Sequence, residues 1–368
     1  MRNYLLLILL ALVYACRTPS ITPDVVEIRA LGITYRPDTL QLSSTARDYI
    51  DTVVSHMREV ALHRDRVDFD ALRNAARYYS QGATTAADTY AGIERAMVLL
   101  DDHHSSLLTP EVLTDYLGLG KAQIDDIRAG QVPHLPSNQL AGLDERLTFA
   151  TATYRDGIGY LRIPSFERIY YEEMQRFADS LQSSIRVLEA QGVRTWVVDL
   201  SGNDGGAELP MILGLGPLLD EQNGYYGIDA RGRIRSHTFY RDGGYYNLDE
   251  GQRPATAKPL VTLPDPYVLK TPNLPILLLT SGKTASSAEA VVAIFKEQSN
   301  VLQLGEATNG LTSVNSFEVL PDNAVLNITV AYMADRTKQV HEQGIGVDGG
   351  LEELEGDLGR VVRGLMGK

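Results

Sequence analysis

The sequence predicts an α/β protein whose N-terminal part is helical. Two apolar runs of buried-strand type, at residues 196–200 and 275–279, are each followed by a helical pattern. Strands that alternate with helices in this way build a sheet covered by helices. Residues 44–110 instead carry apolar side chains at helical spacing. With 368 residues, 44% of them hydrophobic, the chain is long enough to bury a substantial core in roughly two domains.

Three segments precede the predicted α/β core. Residues 17–43 are rich in Pro, Ser and Thr, which indicates a tether or arm. Residues 44–110 indicate a helical domain, because apolar residues such as Ile50 and Val53 recur at helical spacing and later segments begin with acidic residues suited to N-caps. Residues 111–148 are polar and indicate a connector.

Residues 149–368 form the predicted α/β core. A β-hairpin is expected around Asp156 and Gly157, and the helical pattern that follows ends at Gly192. The Tyr- and Arg-rich segment 224–247 has two interpretations. It shapes substrate binding, or it is a hairpin with aromatic cross-strand pairs.

Charge and cysteine content exclude several classes of function. The net charge is −13 and no long basic run is present, which argues against nucleic acid as a partner. Cys16 is the only cysteine, so the chain has neither an intramolecular disulfide nor a thiolate zinc site.

The first 16 residues predict export. Arg2 precedes an apolar run from Tyr4 to Ala15, which is shorter than the roughly 20 residues of a membrane-spanning helix. Residues 13–16, Val-Tyr-Ala-Cys, resemble a bacterial lipobox in which Cys16 carries the lipid. We therefore expect an exported lipoprotein of the bacterial cell envelope, anchored to the membrane through Cys16. The alternative is a simple signal peptide with an incidental cysteine.

Ser286 lies where an apolar strand meets a helix, in the segment TASSAE at residues 284–289. Unpaired N–H groups and the helix dipole favour negative charge at such a position. Acyl transfer requires this environment because the attacked carbonyl becomes an oxyanion. The structural alternative is an ordinary helix N-cap, a position where serine is preferred.

Two adjacent histidines, His103 and His104, follow Asp101 and Asp102 at the end of a helical pattern. Histidine is the usual general base because its pKa lies near working pH. Neighbouring histidines point to different faces of a helix, and no third His or Cys follows at ligand spacing. A metal site is therefore not predicted here.

A glycine-rich loop, defined by residues 202–206, follows the apolar run at 196–200. Its glycines let the backbone approach a ligand and present N–H groups to it. The loop lacks the GxGxxG spacing of dinucleotide sites and the Gly-Lys-Ser/Thr of P-loops. An ordinary turn from strand to helix is the structural alternative.

Taken in order, these segments resemble the C-terminal processing (tail-specific) peptidases, and among them the branch of the tricorn core and interphotoreceptor retinoid-binding protein. The resemblance is carried by DDHHSSLLTP, DLSGNDGG, TASSAE and GEATNG, with EQGIGVD as a weaker fifth segment. It implies a core like that of Clp protease and crotonase. Many relatives insert a PDZ domain after the histidine segment, but the connector 111–148 is too short to hold one.

The resemblance implies Ser286 as nucleophile and His104 as general base. The lysine of the Ser-Lys members falls on Leu311, which cannot take a proton. A histidine as the partner of Ser286 is consistent with the absence of this lysine. Glu342 is implied as the residue that orients the histidine, with Asp102 as a rival.

The resemblance also implies an oxyanion hole built from backbone N–H groups of Gly205, Gly206 and Ser287. Asp204 stands where the family has a glycine, and Ser201 replaces a family arginine. A carboxylate at position 204 opposes catalysis unless it points away from the oxyanion.

The expected function is that of a serine peptidase, hydrolysing peptides or proteins in the cell envelope through a Ser-His acyl-enzyme and without a cofactor. The alternative is a non-catalytic envelope lipoprotein that binds peptides, glycans or apolar ligands on the same scaffold. His103 and His341 remain rival bases.

Overall fold

The computed structural model describes residues 25–367, apart from residues 116 and 355. The expected signal segment, Cys16 and the start of the tether lie outside these residues. Among the described helices, none is both long enough and apolar enough to cross a membrane.

The described chain divides into two compact units. The smaller comprises residues 25–54 and 68–99, and the larger comprises residues 55–67 and 100–367. His104 belongs to the larger unit, whereas we expected it in the helical domain that ends at residue 110. The reason is strand β3 (Ser106–Leu108), which pairs with strand β14 (Val325–Ala334) of the larger unit.

The smaller unit contains an antiparallel strand pair and helices. Its elements are β1 (Val26–Ile28), β2 (Ile33–Tyr35), α1 (Ser44–Val60, with residues up to 54 in this unit), α2 (Phe69–Tyr79) and α3 (Tyr90–Ala96). The Asp68 carboxylate caps α2 by accepting from the N–H groups of Asp70 (3.1 Å) and Ala71 (2.9 Å). The acidic start predicted for this helix is thereby confirmed.

A five-stranded sheet forms one layer of the larger unit. Its strands, in spatial order, are β12 (Val301–Gly305), β11 (Ile276–Thr280), β6 (Thr195–Asp199), β5 (Ile158–Arg162) and β4 (Thr151–Arg155). All neighbours are parallel except β4, and Leu278 of β11 pairs with Val198 of β6. Because parallel strands end at the same edge of a sheet, the segments that follow β6 and β11 meet there. The predicted α/β class is confirmed.

The turn between β4 and β5 has the conformation that the sequence predicts. Asp156 (φ 54°) and Gly157 (φ 86°) both have positive φ, as a two-residue hairpin of type I′ requires. Arg155 pairs with Ile158 across the turn.

An antiparallel seven-stranded sheet is built largely from the second half of the larger unit. Its path is β10 (Val261–Thr262), β9 (Gly244–Asp249), β8 (Ile234–Arg241), β7 (Tyr225–Ile228), β14 and β13 (Ser313–Val319), with β3 on β14. Residues 224–247 therefore form β7 to β9. The rings of Phe239 and Tyr246 stack across β8 and β9 with centroids 4.8 Å apart, which is the aromatic pairing considered above.

Helices complete the larger unit. They are α4 (Pro110–Asp115), α5 (Lys121–Arg128), α6 (Leu143–Arg146), α7 (Tyr171–Ala190), α8 (Glu208–Leu215), α9 (Ser287–Phe295) and α10 (Gly356–Met366). The expected connector thus contains α4 to α6. Phe177, Trp196, Ile212 and Val291 share the main hydrophobic core. Every residue of α9 after Ser287 is buried, which makes this helix a rigid support for its N-terminus.

Candidate active site

Ser286 connects β11 to α9 in a strained backbone conformation. Its φ of 54° and ψ of −119° lie outside the regions that L-residues favour, at a typical cost of about 1–3 kcal/mol. The Ser286 N–H donates to Glu289 Oε2 (2.8 Å). The positive φ and the 3.1 Å contact of the hydroxyl with His104 Nε2 distinguish this serine from an ordinary N-cap.

Glu289 holds the turn that presents Ser286. Its side chain is fully buried (0% exposed) in the first turn of α9. Besides the Ser286 N–H, it accepts hydrogen bonds at Oε1 from Thr308 Oγ1 (2.6 Å) and the Gly310 N–H (2.8 Å). Burial raises the pKa of this carboxyl above its ordinary value. One carboxyl group therefore joins the serine turn to the GEATNG segment.

The glycine-rich loop is fastened to the same turn. Thr284 Oγ1 donates to the Leu200 carbonyl (2.9 Å), and the Ala285 N–H donates to the Asn203 carbonyl (3.2 Å). These bonds arise because β6 and β11 are neighbours and end at the same edge. The loop predicted from its glycines thus lies directly beside Ser286.

Two of the three N–H groups expected in the oxyanion hole are free to bind an oxyanion in the described part of the chain. Gly205 has φ 120°, and a Cβ at this position would lie 3.0 Å from the Ser286 Cβ, so only glycine fits. Its N–H donates to Asn203 Oδ1 (2.9 Å) and is already occupied, which differs from our expectation. Within the described part of the chain, the N–H groups of Gly206 and Ser287 have no hydrogen-bond partner.

The His104 segment is shaped by Asp102. Asp101 and His103 both adopt positive φ (57° and 55°), and the chain turns sharply between them. Asp102 Oδ1 accepts from the N–H groups of His104 (3.1 Å) and Ser105 (3.0 Å). Asp102 therefore fixes the backbone of this loop and makes no bond to the imidazole ring.

The imidazole of His104 lies between two serine hydroxyls. Its Nε2 is 3.1 Å from Ser286 Oγ, and its Nδ1 is 2.7 Å from Ser313 Oγ at the start of β13. Sequence inspection missed Ser313, because a serine at the start of a strand carries no functional signal. Burial lowers the pKa of His104 below its usual value of 6.5, and the Asp102 carboxylate opposes this only in part.

Glu342, expected as the orienter, is exposed to solvent. Among the described residues, no hydrogen bond or ion pair joins it to His104; the Nδ1 position is taken by Ser313. The segment of Glu342 is held elsewhere, since the nearby Ile345 N–H donates to Thr308 Oγ1 (2.8 Å). The residue at His104 Nδ1 is therefore Ser313 and not Glu342.

The two rival histidines lie outside this arrangement. His103 is exposed. His341 Nε2 lies 3.0 Å from Oδ2 of the buried Asp335. In the part of the chain that the structure describes, neither His103 nor His341 forms a hydrogen bond with Ser286. Among the described residues, no group of three or more His, Cys, Asp or Glu side chains is arranged to hold a metal ion.

The serine turn, the histidine and the open N–H groups form a site with the parts needed for acyl transfer. Residues 157–350, more than half of the chain, match peptidase family S41. The chain belongs to this family. The resemblance drawn from the sequence segments is thereby confirmed.

Curated relatives place the chain among serine peptidases. The nisin-resistance protein of Lactococcus lactis subsp. lactis is 22% identical over 313 residues, covering 84% of each chain. The carboxy-terminal processing protease CtpA of Bacillus subtilis is 25% identical over 191 residues. That match covers 52% of this chain and 34% of CtpA, so the chain spans about a third of that relative. Membership in family S41, with processing proteases among its relatives, makes the chain a serine-type peptidase.

Solved structures share the fold of this S41 member. A lipoprotein from Streptococcus agalactiae superposes with a TM-score of 0.61 at 19% identity, covering 89% of this chain and 98% of that chain. The photosystem II D1 C-terminal processing protease gives a TM-score of 0.52 at 16% identity, covering 83% and 93%. At these identities the likeness concerns the fold alone.

The structure shows the surroundings of two residues that depart from the family pattern, Leu311 and Asp204. Leu311, where Ser-Lys members have lysine, is half-buried beside the turn that Glu289 holds. Asp204 is exposed, and its carboxylate accepts a hydrogen bond from the Ser165 hydroxyl. The backbone N–H of Asp204 donates to Ser165 Oγ (3.0 Å). The Asp204 carboxylate is therefore held by Ser165.

Proposed function

We propose that this chain hydrolyses peptide bonds of peptides or proteins in the bacterial cell envelope through an acyl-enzyme formed on Ser286, with His104 as general base. The supporting observation is the 3.1 Å distance between Ser286 Oγ and His104 Nε2, bridging 182 positions of the sequence. Family membership supports the class of reaction, and the serine turn supports the role of the nucleophile.

The first half-reaction forms the acyl-enzyme. Ser286 Oγ attacks the scissile carbonyl carbon while His104 Nε2 takes the hydroxyl proton. The carbonyl oxygen becomes anionic and accepts hydrogen bonds from the Gly206 and Ser287 N–H groups, each of which typically lowers the barrier by about 2.7–4 kcal/mol. The C–N bond then breaks, and His104 gives its proton to the leaving amine.

The second half-reaction releases the product. A water molecule attacks the ester carbonyl carbon on Ser286 while His104 takes one of its protons. The ester C–O bond breaks, His104 returns the proton to Ser286 Oγ, and the carboxylic acid leaves. No group outside the chain and water is needed to balance the reaction.

The S. agalactiae structure is described as that of a lipoprotein, which supports attachment of this chain to the envelope. We expect cells that express it to incorporate radiolabelled palmitate into the protein, because Cys16 follows a lipobox-like segment. Cys16→Ser should remove the label and release the protein from the membrane fraction. Palmitate incorporation that survives this substitution would exclude the proposed anchor.

The L. lactis relative is named for resistance to nisin, which makes nisin a direct substrate to test. Purified protein incubated with nisin, followed by mass spectrometry of the products, shows whether a peptide bond is cut and at which residue. A peptide library run in parallel gives the cleavage preference and shows whether cleavage occurs near chain ends.

A fluorophosphonate probe tests the mechanism, since it reacts with serines activated by a base. We expect the native protein to be labelled at a single residue. Mass spectrometry of the labelled proteolytic fragment should place the phosphonate on Ser286, and heat-unfolded protein should show no labelling.

Labelling on a different residue would overturn the assignment of Ser286. A folded protein that reacts neither with the probe nor with peptides would favour the alternative, a non-catalytic envelope lipoprotein that binds peptides, glycans or apolar ligands. The leucine at position 311 and the carboxylate at position 204 are the observations behind that alternative.

A further inference from the structure

We propose that Ser313 is the positioning residue for His104, and that a chain of neutral hydrogen-bonding groups orients the histidine in place of a carboxylate. This inference rests on the proposed Ser286–His104 mechanism and adds a third side chain to it. The Ser313 hydroxyl lies 2.7 Å from His104 Nδ1, on the side of the ring opposite Ser286.

The direction of each hydrogen bond follows from one fixed acceptor. Asn315 Nδ2 lies 3.2 Å from the carbonyl oxygen of His104, and a carbonyl can only accept. The other terminal atom of Asn315 is therefore its oxygen, Oδ1. Thr329 Oγ1 donates to this oxygen (3.0 Å), and Ser313 Oγ lies 3.5 Å from it.

This orientation favours one tautomer of the base. Asn315 Oδ1 is an acceptor 3.5 Å from the Ser313 hydroxyl, and in the arrangement we infer Ser313 directs its proton toward this oxygen and its lone pairs toward His104. In this arrangement His104 carries its proton on Nδ1 and donates it to Ser313. The lone pair of Nε2 is left facing the hydroxyl of Ser286, which is the tautomer that a general base requires.

The strand pairing beside Ser313 is irregular. Along β13 the pairing with β14 shifts between Val314 and Asn315, because Val314 pairs with Ala331 whereas Asn315 pairs with Thr329. A bulge of this kind redirects side chains and recurs next to active sites. Asn327 of β14 accepts from Asn315 Nδ2 (3.1 Å) and holds the amide in place.

The groups around His104 carry little charge. Asp102, on its own loop, is the charged group that raises its pKa, and burial outweighs that effect. The contacts from the other elements are neutral: Ser286 before α9, Ser313 and Asn315 on β13, and Asn327 on β14. His104 therefore stays neutral, and competent as a base, to a lower pH than an ordinary histidine.

The test compares Ser313→Ala with Ser313→Thr, which keeps the hydroxyl. Loss of the Nδ1 partner should lower kcat about tenfold to a hundredfold with little change in KM, since a buried donor is left unpaired. Threonine should restore most of this loss. Ser316→Ala is the matched control, because Ser316 lies on the same strand and its hydroxyl bonds to Glu318 (2.8 Å), so activity should be unchanged.

A second variant, Ser313→Asp, changes the pH dependence of activity, which would stay the same if Ser313 only supported the fold. Ser313→Asp places a carboxylate at Nδ1, which should raise the pKa of His104 and move the acidic limb of kcat/KM upward by about one pH unit or more. Nitrogen-15 NMR of labelled histidine should also show protonation at Nδ1 in the native protein and a mixed tautomer in Ser313→Ala.

The outcomes separate the two proposals. If the probe labels Ser286 but Ser313→Ala keeps full activity and Ser313→Asp leaves the pH profile unchanged, this inference is overturned and the mechanism stands. If the probe does not label Ser286, the mechanism itself fails. Should Ser313→Ala misfold, the pH profile of Ser313→Asp and the native tautomer decide.

Discussion

Replacing Ser286 with alanine is expected to lower kcat/KM by roughly 10⁴–10⁶-fold, because the nucleophile is lost. His104→Ala should cost at least about 10²–10⁴-fold, because Ser286 then has no acceptor for its proton. Since the two side chains act as a unit, the double variant should be no less active than Ser286→Ala alone. Steady-state kinetics on a cleaved peptide, with circular dichroism to check folding, measure all three.

The rival histidines are the controls for this result. His103→Ala should retain near-native activity because its side chain is exposed. His341→Ala should act mainly on stability, because it removes the partner of the buried Asp335. If His103→Ala or His341→Ala silences the folded enzyme while His104→Ala does not, our assignment of the base is wrong.

Replacing Glu289 with alanine is expected to reduce the free energy of unfolding by about 3–5 kcal/mol. The substitution removes the acceptor of the Ser286 and Gly310 N–H groups and of the Thr308 hydroxyl. It also leaves a cavity at a fully buried position. Activity should fall as well, because the Ser286 N–H loses the acceptor that helps to hold the residue at its positive φ.

Glu289→Gln should lie between the native protein and Glu289→Ala, because glutamine keeps one acceptor oxygen. Burial raises the pKa of Glu289 in the folded state, so its contribution to stability is fully present below its ordinary pKa of 4.5 and is lost as pH rises through the folded value. That pH dependence should be absent in Glu289→Gln. Urea unfolding at several pH values measures both effects.

The control is Glu306→Ala in the GEATNG segment. Glu306 is exposed and accepts one long hydrogen bond from the Gly282 N–H (3.3 Å). Its loss should change the free energy of unfolding by less than about 0.5 kcal/mol. Equal destabilisation by Glu289→Ala and Glu306→Ala would refute the structural role given to Glu289.

Features that depend on neighbours along the chain could be predicted from the residues. The apolar runs of β6 and β11 indicated buried strands because a parallel sheet covered on both faces excludes polar side chains. The Asp156–Gly157 turn was recognisable because few residues tolerate positive φ. The nucleophile segment and the glycine-rich loop stood out for the same local reasons.

Features that depend on contacts between distant segments were available only from the folded chain. The 3.1 Å approach of His104 to Ser286 and the serine at His104 Nδ1 depend on strands that lie far apart in the chain, because β3 and β13 both pair with β14. Hydrogen bonds act over about 3 Å, whereas their partners here are separated by up to 209 positions. Ser313 and Glu342 show this best: the family resemblance implied the carboxylate of Glu342, whereas strand pairing brings the hydroxyl of Ser313 to the histidine.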